Sequence, residues 1–163
     1  HDSIPDIHST TAVVMSGVQF STIRQRFATA VSSLDGFHEL RNPYDGYGRS
    51  PNTVANLGFA VGIRNVTTRD DDRQRQSVGV MCETEMFVRF IFRIRPKDQL
   101  TSLDEGFDQV ETVVRTLTNR STPLHDNLQI RFTGFDNELS DSGEYAIYTL
   151  TFNILHYISL EGG

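Results

Sequence analysis

Residues 78–95 read Val78-Gly-Val-Met-Cys-Glu-Thr-Glu-Met-Phe-Val-Arg-Phe-Ile-Phe-Arg-Ile-Arg95. The even positions carry Val78, Val80, Cys82, Met86, Val88, Phe90, Phe92 and Ile94, broken only by Thr84. The odd positions carry Glu83, Glu85, Arg89, Arg93 and Arg95. Side chains of a strand point alternately to opposite faces, so this period of two predicts a long strand with one buried face, with room for one bulge. Upstream, Leu57, Phe59, Val61 and Ile63 alternate with Gly58, Ala60, Gly62 and Arg64. The two segments predict a hairpin with a long polar tip over 65–77. Pro96 ends the second strand.

Helical periods flank this hairpin. Phe20, Ile23, Phe27, Ala30, Val31 and Leu34 share one helical face, and Asp35-Gly36 stops the run. Ser16-Gly-Val-Gln19 fits a capping box, with Met15 and Phe20 as a hydrophobic staple. A second box, Ser102-Leu-Asp-Glu105, precedes Leu103, Phe107, Val110, Val114 and Leu117, and that helix should end before Pro123. Then Leu128, Ile130 and Phe132 alternate, a loop spans 135–143, and 144–158 alternates again with Ala146, Tyr148, Leu150, Phe152, Ile154, His156 and Ile158 on one face. Residues 41–52 are dense in Pro, Gly, Asn and Asp and predict turns. The reading is an α+β two-layer sandwich in αββαββ order: a mainly antiparallel four-stranded sheet with two helices on one face. Residues 1–15 show no period and read as an extended N-terminal arm before a single domain over 16–163.

Composition agrees with one folded domain. The chain has 163 residues, 37% of them hydrophobic, and a net charge of −6. That charge gives no general attraction to nucleic acid or anionic lipid. No apolar run approaches a membrane span, and none resembles a signal-peptide core. The first residue is His1, which suggests an upstream residue removed or a tag. The sequons Asn65-Val-Thr67 and Asn119-Arg-Ser121 are expected to be chance matches. Of the 15 Lys and Arg residues only Lys97 is lysine; Arg is enriched at protein interfaces, and source composition gives the same bias.

The residues predict no catalytic set, metal or cofactor. His1, His8, His38, His125 and His156 lack zinc-site spacing, and His156 reads as a hydrogen-bonded core or rim group. Cys82 falls on the apolar strand face as a buried thiol. Asp70-Asp-Asp72 lacks the spaced oxygens and glycine of a calcium loop, as does the stretch 136–141. Gly46-Tyr-Gly48 is too short for a dinucleotide fingerprint. Arg89, Arg93 and Arg95 would form a basic strip, but only Phe87 and Ile91 share it and the consensus of RNA-binding sheets, with its stacked aromatics, is missing. Interaction and assembly remain the leading expectation. The candidate interface residues are Arg69, Asp70, Asp71, Asp72, Arg73 and Arg75 at the hairpin tip, then Tyr44 and Tyr47.

The αββαββ order, the amphipathic Gly17–Leu34, the long-tipped hairpin around Arg69–Arg75, the Leu103–Leu117 helix and the closing Tyr148-Thr-Leu-Thr-Phe-Asn-Ile-Leu-His-Tyr157 together resemble the tail terminator proteins of long-tailed bacteriophages. The likeness spans about residues 16–160. It implies a virion structural protein and no enzyme: a homohexameric ring that caps the tail tube, binds the tail tube protein and the head-completion or connector protein, and leaves a channel for genome DNA, without any membrane partner. A globule of this length has a radius of gyration of roughly 15 Å, so six in a ring leave a hole roughly 40 Å across. An acidic subunit suits such a channel, because a basic wall would grip the passing phosphates. The alternatives are another neck, head-completion or tail-tube protein, a small-ligand-binding or enzymatic ferredoxin-like domain with a pocket around His156 and Glu83, or a regulatory dimer domain.

Overall fold

In a computed structural model, residues 16–41, 56–69 and 79–160 are described. The elements are α1 (Phe20–Ser32), β1 (His38–Glu39), β2 (Gly58–Thr68), β3 (Gly79–Arg93), α2 (Gln99–Thr118), a 3-10 turn (Pro123–His125), β4 (Gln129–Leu139) and β5 (Tyr145–Ser159). The strands form one sheet in the order β1-β2-β3-β5-β4. The α+β class and the helix–hairpin–helix–hairpin order hold. The four-stranded, mainly antiparallel layout needs correction. There are five strands, and β1 runs parallel to β2, with His38 beside Gly58 and Glu39 beside Phe59. Two residues are too short to display a period, which is why this strand is invisible in the sequence.

The centre of the sheet is the β3–β5 pair, in continuous register from Gly79–Ser159 to Arg93–Tyr145. No bulge interrupts β3. The bulges fall on its neighbours: in β2 between Ile63 and Asn65, and in β4 between Phe132 and Gly134. An extra residue shifts the side-chain phase by one. Apolar spacing therefore slips from two to three, Ile63 to Val66 and Phe132 to Phe135. That slip hid the outer half of β4: the predicted loop over 135–143 is strand to Leu139, followed by a tight turn in which Gly143 takes φ 75°.

The even face of β3 and the matching face of β5 pack against both helices. Met86, Val88, Phe90, Tyr148, Leu150, Phe152 and Ile154 are buried together with Ile23, Phe27 and Val31 of α1 and Val110, Val113 and Leu117 of α2. Phe152 meets Phe27 edge-on at 5.6 Å and Phe132 at 5.4 Å. On the opposite face Ile91 and Ile147 form a small separate cluster with Tyr145.

Both capping boxes are corrected. The residue before α1 is Gln19, and no side chain caps it. Ser16 lies further back, in a segment tied to β5 by the Val18 amide donating to Tyr157 O at 2.8 Å. Helix α2 starts at Gln99, so Ser102 lies inside it, buried, with its Oγ accepting the Arg95 amide at 3.0 Å. Glu105 accepts from Arg95 Nη1 at 2.9 Å. The buried stripe of α2 is Ser102, Gly106, Val110, Val113 and Leu117. Leu103 and Val114 flank it, and Phe107 is 37% exposed. The helix is rotated toward its small residues because the Tyr148 ring needs the space over Gly106. A Cβ at 106 would collide with the Tyr148 hydroxyl.

That hydroxyl is buried and has no hydrogen-bond partner among the described residues. Gly106→Ala is therefore expected to destabilise by roughly 1–3 kcal/mol through overpacking. Tyr148→Phe should be neutral or stabilising, since a buried unpaired polar group costs roughly 1–3 kcal/mol. The double variant should recover most of the Gly106→Ala loss. Urea unfolding of the three variants checks this; a double variant no better than Gly106→Ala would refute the steric account.

Candidate assembly surface

The open sheet face is built from the odd residues of β3 and their neighbours. Phe87 lies at its middle. The guanidinium groups of Arg64 and Arg89 stand over its ring at 5.6 and 5.2 Å from the centroid. Gly62 lies beside it because a Cβ there would come within 2.6 Å of the ring. Arg64 Nη1 pairs with Glu85 at 3.2 Å, Arg69 Nε with Glu83 at 3.0 Å, and Arg89 Nε donates to Thr149 Oγ1 at 3.0 Å. This exchange of charges dissolves the expected basic strip. Arg95 turns away toward Glu105 and Asp98, while Glu83 and Glu85 lie in the same row as Arg89. Exposed ion pairs such as these add little stability. They leave instead an open face of arginines, acids and half-buried apolar groups.

Of the predicted interface residues, Arg69 is placed at the base of the β2–β3 tip, with its amide also bonded to Met81 O at 3.2 Å. Asp70, Asp71, Asp72, Arg73, Arg75, Tyr44 and Tyr47 lie outside the described residues, as does the 1–15 arm. The alternative pocket around His156 and Glu83 is not formed. Cys82 pairs with His156 and Glu83 with Leu155, so the two side chains sit on opposite faces of the sheet.

His156 is a fully buried structural group, in line with its alternation. Its Nδ1 lies 3.2 Å from Val18 O, which can only accept, so Nδ1 carries the proton. Nε2 then accepts from the Thr84 hydroxyl at 2.6 Å. Phe20 closes edge-on at 5.4 Å. Burial pushes the imidazole pKa below its ordinary value, partly offset by the bond to Val18 O. The unfolded chain then binds more protons than the folded one just below the unfolded value of about 6.5. Stability from this group is complete above about pH 6.5, falls as pH drops through that value, and levels off below the depressed folded pKa. Urea midpoints between pH 7.5 and 5 should decline accordingly; a midpoint that rises on acidification over that range contradicts the buried neutral ring. Cys82 is buried too, and burial raises its thiol pKa, which makes it less nucleophilic.

Among the described residues no group of three or more His, Cys, Asp and Glu side chains gathers as a metal site. A groove of about 510 Å³ runs between α1 and the 3-10 turn, lined by Thr22, Arg26, Ala30, Pro123 and Leu124. Arg26 closes one end by donating to Asp126 O at 2.7 Å. No protein-family model matches the chain, and no curated protein matches it either.

The feature that sequence reasoning missed is the pair of sheet edges. Among the described residues, β4 has no strand beyond it, and β2 is covered only at Gly58 and Phe59 by β1. Exposed apolar groups sit along these edges: Val66 on β2, and Phe135 and Leu139 on β4 at 42% and 62% exposure. Phe107 of α2 leans on Phe135 at 6.3 Å. The available signal was the three-residue apolar spacing at each bulge.

Proposed function

We propose that this chain is a ring-forming virion structural subunit of the tail terminator kind. It assembles as a homohexamer that caps a tail tube, joins it to the head through a head-completion protein, and leaves a passage for DNA. One observation carries the reading: the sheet has an open β4 edge on one side and, beyond Phe59, an open β2 edge on the other, both with exposed apolar residues and no partner strand there among the described residues. Unpaired strand edges invite pairing with another chain, and closing a ring of copies removes them. The mixed-charge sheet face supports the same reading, because Arg64 and Arg69 are already matched by Glu85 and Glu83, which weakens the pull of that face on phosphates.

The test is mass and position. The full chain should form a particle six times its 18.4 kDa, alone or on purified tail tubes. Electron microscopy should place it at the head-proximal end of the tube. A monomer that binds neither tubes nor itself would overturn the reading, and density along the tube instead would make it a tube subunit.

A further inference from the structure

We infer that copies of this chain join head to tail through one defined strand pair, β4 of one copy against β2 of the next; this rests on the ring reading and specifies its interface. Strands β2 and β3, β3 and β5, and β5 and β4 are antiparallel, so β2 and β4 run in opposite directions. A neighbour rotated about an axis along the strands thus presents β2 antiparallel to β4, with helix faces on the same side.

The backbone phases of the two edges match. On β2, the Leu40 amide reaches Phe59 O at 2.9 Å, so residues in phase with Phe59 turn their backbone groups outward, Val61 and Ile63 included. Past the bulge the outward phase passes to Val66 and Thr68, because the Arg69 amide points inward to Met81 O. On β4, the Ser140 amide points inward to Tyr145 O at 2.9 Å. Leu139, Asn137 and Phe135 therefore face outward and, past the bulge, so does Phe132. One register sets Phe135 against Val66, Asn137 against Ile63, Leu139 against Val61 and Phe132 against Thr68. Every one of these pairs is outward against outward, with side chains on the helix face.

The same register does three further things. It buries the exposed Phe135 and Leu139 against Val66 and Val61. It places Asp136 and Glu138 on either side of Arg64. It also stops at Val61, just short of the residues that β1 already covers. Arg131 falls beside Arg69, whose charge Glu83 already meets. Bulges on edge strands ordinarily discourage pairing. Here each strand carries one, and in this register each bulge falls opposite a regular stretch of the partner, Ile63 to Val66 against Asn137 to Phe135 and Phe135 to Phe132 against Val66 to Thr68, so the two one-residue offsets cancel along the edge.

The test uses Asn65→Cys and Asp136→Cys together in a Cys82→Ala background of the full chain. In this register 65 and 136 face each other as a pair not hydrogen-bonded to one another, at roughly 4.5 Å between Cα atoms, within disulfide reach. Within one chain they lie three strand spacings apart, roughly 14 Å, so any bond is between copies. Mild oxidation should give a non-reducing ladder at multiples of the subunit mass, at least ten-fold above either single variant. If the double variant fails to fold by circular dichroism, mixing the two single variants should give a covalent dimer instead. Absence of cross-linking while native mass shows a ring overturns this interface and leaves the ring reading standing. Absence with monomers throughout overturns both. Dimers from Arg131→Cys with Asp136→Cys, without a ladder from the first pair, would show a two-fold β4-to-β4 contact and overturn the head-to-tail interface.

Discussion

Replacing Phe152 by alanine should lower the unfolding free energy by about 3–5 kcal/mol, the cost of emptying an aromatic site in a close-packed core. Phe152 is fully buried on β5, beside Met86 on β3. Its ring touches Phe27 of α1 and Phe132 of β4, so one side chain joins a helix, the central strand pair and an edge strand. Collapse of the gap would require the helix and the sheet to approach, and the neighbouring Leu150 and Ile154 on the same strand resist that. Domains of this size carry about 5–15 kcal/mol in total, so the variant should lose a large share of its stability. Urea denaturation against Phe152→Leu, expected to lose less, checks it. A Phe152→Ala loss below about 1 kcal/mol would mean that the helix layer is not seated on this residue.

A proline at Asn137 should have the opposite profile, with little loss of fold and nearly complete loss of assembly. The Asn137 amide points away from β5, so proline removes no bond of the β4–β5 ladder. It removes an outward donor and puts a ring where a neighbouring strand must lie. Proline at Asp136, one residue earlier, deletes an inward amide and should cost about 3 kcal/mol or more of stability. The pair separates folding from association. For Asn137→Pro, the unfolding midpoint should stay close to the parent, while the dissociation constant between copies rises at least 100-fold by sedimentation or native mass. Equal loss of stability in both variants would mean the backbone phase of β4 is assigned wrongly.

Most of the architecture was legible because its signals are strict. The nine even positions from Val78 to Ile94 could not sit on a helix without burying charge, and the period of α1 left one buried face. The errors have physical causes. Ser16 and Ser102 have the residue pattern of caps, but pairing with β5 pulls the first into extended chain and burial against Arg95 takes the second into the helix interior. The face of α2 was misjudged because Leu103 and Phe107 are large, whereas the sheet below needed the smallest residue, Gly106, to admit a tyrosine. Edge strands were harder to read than central ones: a bulge breaks the alternation on which the reading depends. Of the candidate site, the sequence pointed to the hairpin with Arg69; the two open edges left only the three-residue apolar spacing at each bulge as a signal, and the order of strands is what brings them into view.

Val18 bonded to Tyr157, Arg69 to Met81 and Gly79 beside Ser159 all lie at one end of the strands; the tight turn before Tyr145 and the start of α2 lie at the other. Any circular stack of copies whose strands follow its axis is therefore polar, with an upper and a lower rim made of different chemistry. Such an object can hold one neighbour above and an unrelated one below using a single gene product, without a second adaptor to break its symmetry.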